Sequence, residues 1–248
     1  MADYSAMMHD AYAYAKAGVF ERMERWLRLL LATILLGIPL SGYLIRIYRG
    51  ANPAPDVEDW GSLFVDGLKL ILIGLIYAIP VIIVSLAPYV FLGALSLAPA
   101  PVGTVVRDNG AMMAETIGLM LLSVLVTFIL EIIIAILLPI ASIRFARTRK
   151  FSEAFRFGAI IGYIGKIGWL TYILALLVML IFIGVPLFII EMIFLFAGIL
   201  AGHLFIAIGL FLLLILLIAP PLVTFQARYM TLVYDLGADV PAEQVPAQ

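Results

Sequence analysis

The sequence predicts an all-α integral membrane protein, and three observations carry that class. Of its 248 residues, 65% are hydrophobic and only 12% are charged, where soluble domains carry about 25% charged residues. The mean hydropathy is +1.18. Runs such as 120–143 and 167–190 reach the roughly 20 residues that cross about 30 Å of hydrocarbon. A chain apolar on every face of its helices has no water-soluble core to form.

The remaining composition narrows the function. A net charge of −1 provides no global basic field for nucleic acid. Cysteine is absent, which excludes disulfides, thiolate metal sites and a cysteine nucleophile. The N-terminus has neither a basic leader region nor a cleavage-site pattern, so the first apolar segment is expected to stay in the mature chain. A single polytopic domain is expected over residues 1–234, in three units (1–50, 51–150 and 151–234). The tail 235–248 has no apolar periodicity and is expected to be disordered.

In chain order, residues 4–28 interleave Tyr4, Tyr12, Tyr14 and Phe20 with Lys16, Glu21, Arg22, Glu24, Arg25 and Arg28. That mixture suits a helix in the headgroup region, with Trp26 as an interfacial anchor. The apolar run 29–45 is at the short limit for a crossing and is interrupted by Gly37, Pro39, Ser41 and Gly42. Residues 50–59 form a loop on turn chemistry, and Asp59 is placed to cap the helix that follows.

Trp60–Gly67 is a short amphipathic segment leading into an apolar stretch, 68–97, that Pro80 and Pro88 should kink. A second loop is expected at 99–110. The next crossing, 113–143, carries Glu131 near its middle. After it comes the densest basic cluster, Arg144, Arg147, Arg149, Lys150 and Arg156. A crossing to about residue 190, broken near Gly184 and Pro186, and a last one over 203–226 complete the chain.

The pattern of Trp60–Gly67 recurs from Phe151 to Gly158 and from Met8 to Ala15. Interfacial amphipathic lead-in helices in a degenerate threefold repeat are therefore expected. Positive-inside counting puts the Arg144–Arg156 loop and the C-terminus in the cytoplasm. A single crossing by 29–45 would leave Lys16, Arg22, Arg25 and Arg28 outside, against the same rule. The expected topology is four full transmembrane helices plus an N-terminal re-entrant hairpin turning near residues 37–42, with five crossings as the alternative.

Two features are candidate sites. Glu131 lies at membrane depth, where a charge costs about 2.5–3.5 kcal/mol on insertion scales. It is either a proton or cation relay or a neutral glutamic acid bonded to a neighbouring helix. Arg144, Arg147, Arg149, Lys150 and Arg156 are candidate contacts for anionic lipid headgroups, worth about 1 kcal/mol per residue, or serve topology alone. His9 and His203 fall on opposite sides and do not build a zinc site. No nucleophile–base constellation, nucleotide loop or metal-ligand spacing is present, so neither an enzyme nor a cofactor is expected.

Three segments resemble the domain of unknown function 4013 family: Gly42-Tyr-Leu-Ile-Arg-Ile-Tyr-Arg-Gly50, Trp60-Gly-Ser-Leu-Phe-Val-Asp-Gly-Leu-Lys69 and Gly74-Leu-Ile-Tyr-Ala-Ile-Pro80. The resemblance to these archaeal and bacterial membrane proteins implies a polytopic membrane protein and brings no catalytic residues. The expected function is a structural or accessory component of the cytoplasmic membrane that organises lipid or a partner protein. Homo-oligomerisation is left open. The alternative is a small transporter or channel-like protein using Glu131.

Overall fold

The computed structural model describes residues 2–97 and 109–238. Among them the regular elements are helical, with no strand: α1 (Tyr4–Ala15), a π turn (Lys16–Phe20), α2 (Met23–Ile34), α3 (Ile38–Tyr48), α4 (Trp60–Leu97), α5 (Asn109–Thr148), a 3-10 turn (Phe151–Phe155), α6 (Phe157–Ile167), α7 (Trp169–Met179), a second π turn (Leu180–Gly184), α8 (Val185–Leu200) and α9 (Leu204–Asp235). Four stretches are long and apolar enough to cross a bilayer: Trp60–Phe91, Ala114–Thr148, Trp169–Leu200 and Leu204–Asp235. The all-α class and the four long spans are as expected. Most of the loop expected at 99–110 and residues 239–248 of the tail lie outside the described residues.

The chain divides into two units: residues up to 73 with those from 139 onward, and residues 74–138. The first holds the packed core. There Leu29, Tyr43, Ile47, Val57, Leu63 and Ala227 are buried together. Helix α2 is amphipathic by its 3.6-residue period. Leu29 and Ala32 face the core, while Met23, Leu27, Leu31 and Ile34 form an exposed apolar stripe. Just beyond its end, Leu36 and Gly37 both have positive φ, and the chain reverses into α3.

Helices α3 and α4 then meet backbone to backbone. A Cβ on Gly42 would lie 2.0 Å from the Leu63 carbonyl oxygen, and one on Gly67 would lie 1.8 Å from that of Ile38. Only glycine at both positions permits this approach. Gly67, the last residue of the short amphipathic segment, is thus a helix-contact residue inside a continuous α4. Asp59 does cap that helix, its carboxylate accepting from the Ser62 amide at 3.4 Å.

The three segments read as a repeat have different backbones. Met8–Ala15 lies in α1, Trp60–Gly67 forms the first two turns of α4, and Phe151–Phe155 is a 3-10 turn. The break near Gly184 and Pro186 is a π turn between α7 and α8, a register change that leads directly into the proline-bearing first turn of α8.

In the second unit the distal parts of α4 and α5 pair. Pro88 has no N–H to offer the Val84 carbonyl four residues back. The Ser123 hydroxyl donates to that oxygen instead, at 2.9 Å. Ser85 and Thr127 place their hydroxyls 3.3 Å apart.

Candidate functional site

The charged residues of the first unit form a clasp in which several arginines join segments distant in sequence. Arg228, near the end of α9, donates to both carboxylate oxygens of Asp10 on α1, at 2.7 and 3.3 Å. Its guanidinium lies 5.0 Å from the centre of the Tyr14 ring, and the Tyr14 hydroxyl donates to the Ala51 carbonyl at 2.9 Å. Burial pushes that phenol up to about 12, so it remains a neutral donor.

Buried Arg25 of α2 donates to the Gly18 carbonyl at 3.0 Å and pairs with Asp56 in the loop before α4. Arg46 donates to the Asp56 and Glu58 carbonyls and to the Ser62 hydroxyl, at 3.0, 2.8 and 2.9 Å. Arg49 pairs with Asp66 at 2.7 Å. Hydrogen bonding and charge from Arg25 hold the Asp56 carboxyl below the usual carboxylate range.

Three of the five cations expected to meet lipid headgroups belong to this clasp. Arg147 donates to the Tyr48 carbonyl at 2.6 Å and pairs with Asp235 at 2.7 Å. Arg156 at 2.7 Å and Arg144 both donate to Glu153, and those two bonds hold its carboxyl below the usual range. Arg149 and Lys150 are exposed and belong to none of these pairs. They are the members of the cluster most open to a headgroup.

Glu131 sits in the second unit, in a cleft of about 410 Å³ lined also by Ser85, Pro88, Tyr89, Ser123 and Thr127. Ser123, Thr127 and Glu131 follow at four-residue intervals, so they share one face of α5. Ser123, Thr127 and Ser85 carry bonds between the helices, whereas Glu131 makes no ion pair or side-chain hydrogen bond among the described residues. The structure thus brings Glu131 together with three serine and threonine hydroxyls that the sequence did not single out. Their four-residue spacing was the available signal.

Two further concavities flank α2, neither of them signalled directly by the sequence. One is an apolar groove of about 530 Å³ between the α1–α2 junction and α9, lined by residues including Tyr12, Phe20, Met23, Trp26 and Pro221. The other is a polar pocket of about 410 Å³ lined by Arg22, Arg25, Arg28, Glu24, Asp56 and Glu58. Among the described residues no group of three or more His, Asp or Glu is placed to hold a metal ion.

Four helices long and apolar enough to cross a bilayer define a polytopic α-helical membrane protein. The chain belongs to a family described as protein of unknown function (DUF4013), whose model matches residues 27–196, more than half of the chain. No curated protein and no solved structure matches it.

Proposed function

We propose that the chain is a structural or accessory component of the cytoplasmic membrane that organises surrounding lipid or a partner protein and performs no turnover. One contrast carries this reading. The arginines of the clasp close pairs within the chain, whereas the apolar spans are left uncovered: none of the most apolar stretch of Ala114–Thr148 is buried, and only 17% of that of Leu204–Asp235. Flanks of that kind meet lipid or another membrane protein. The clasp end faces the cytoplasm, with the C-terminus. Helices α2 and α3 form a re-entrant hairpin on that side, a reading supported by Arg25 and Arg46 reaching one loop from the two arms.

A second reading, a small transporter or channel-like protein, is favoured by one observation: an unpaired Glu131 in a hydroxyl-lined cleft at membrane depth. Reconstituting the wild type and Glu131→Gln in liposomes and measuring proton and monovalent-cation flux separates the two. The accessory reading expects no flux from either protein. Flux by the wild type that Glu131→Gln abolishes would replace it with the second reading.

A further inference from the structure

The groove and the polar pocket beside α2 share Met23 in their walls. Together they join an apolar trough to a charged basket. The trough lies within the ~300–1,000 Å³ of ligand clefts and is edged by Tyr12 and Trp26, residues suited to the headgroup level. The exposed stripe of Met23, Leu27, Leu31 and Ile34 beside it requires apolar surroundings.

The basket holds three arginines and three carboxylates, and most of them are matched. Arg25 is committed to Asp56, and Arg28 to Glu24 one turn away. Arg22 reaches only the already engaged Asp56, at 3.9 Å, and is largely exposed. Glu58 contributes its carbonyl to Arg46, while its carboxylate has no partner among the described residues. One cation and one anion are left over in the same pocket.

We infer that this composite site holds a zwitterionic phospholipid with a primary-amine headgroup. The acyl chain lies in the groove, the phosphate meets Arg22, and the ammonium donates to Glu58. A trimethylated headgroup cannot donate to Glu58, and an anionic headgroup without an amine leaves that carboxylate unmatched. The inference deepens the lipid-organising reading by naming what is held.

The test is native mass spectrometry of the delipidated full chain, offered equal amounts of phosphatidylethanolamine, phosphatidylglycerol and phosphatidylcholine with identical acyl chains. The expected result is retention of phosphatidylethanolamine about five- to tenfold above the other two. Glu58→Gln should reduce it to the phosphatidylcholine level. Arg22→Gln should lower retention of all three, as should Met23→Trp, which fills the trough from an exposed position. Equal retention of the three lipids, preference for phosphatidylglycerol, a preference that Glu58→Gln leaves unchanged, or total retention that Arg22→Gln and Met23→Trp leave unchanged would overturn the site. Any of those results leaves the accessory reading to the flux measurement, which does not depend on headgroup.

Discussion

Arg228 holds Asp10 through two hydrogen bonds although 218 residues separate them in the chain. The pair ties the first helix to the last turns of α9, and the Arg228 side chain is only 11% exposed. Asp10→Asn removes the charge from a bond that a nearly buried guanidinium depends on. It should cost about 1–2 kcal/mol and lower the thermal midpoint in detergent by several degrees. Glu24→Gln, at an exposed pair one helical turn from Arg28, should change stability by about 0.5 kcal/mol or less.

Glycine-to-alanine scanning separates contact glycines from spacers. Gly42→Ala and Gly67→Ala each drive a methyl group into a carbonyl oxygen of the facing helix. Each should destabilise by about 3 kcal/mol or more, at the upper end of overpacking. Gly158→Ala meets open space and should be neutral or stabilising by up to about 1 kcal/mol, from helix propensity. Thermal unfolding of the three variants reads the contrast directly.

The bond from Ser123 to the Val84 carbonyl answers a deficit created by Pro88. Ser123→Ala should cost about 0.6–1.7 kcal/mol, the range for hydrogen bonds between membrane helices. In a Pro88→Ala background the new amide satisfies Val84 within α4, and the same substitution should cost almost nothing. A double-mutant cycle in unfolding measurements gives the coupling.

Acid should loosen the clasp in a defined direction. The Asp56 and Glu153 carboxyls titrate below their ordinary range because of Arg25 and of Arg156 with Arg144. A depressed folded-state pKa contributes stability that is present above the unfolded value and lost as pH falls through the folded one. Unfolding midpoints followed from neutral to about pH 3 should fall more steeply for the wild type than for Asp56→Asn or Glu153→Gln.

The four spans were legible in the sequence because length and hydropathy suffice to identify them. Pro88 likewise announced a local disruption of α4. Its remedy did not, since Ser123 lies 39 residues from Val84 and a hydroxyl in an apolar run does not name its acceptor. The basic cluster was visible as a run of cations, but Asp235 and Glu153 become partners of Arg147, Arg144 and Arg156 only after folding. Gly67 shows the limit most clearly. A small residue next to aromatics reads as a turn, and only the crossing of α3 over α4 reveals it as a contact. Glu131 could be placed at membrane depth by counting residues, whereas its hydroxyl-lined cleft depends on the pairing of two helices.

The proposed topology places the first helix, the loop at residues 49–59 and the end of α9 on one side of the membrane, with α2 and α3 as a re-entrant hairpin between them. The absence of native cysteine makes this directly measurable. A cysteine introduced at Ala6 and probed with a membrane-impermeant maleimide on intact cells should stay unlabelled until the cells are permeabilised, while one at Ala201, in the turn between α8 and α9, should label at once. Labelling of the Ala6 position on intact cells, in a protein that retains its wild-type thermal midpoint, would contradict the account.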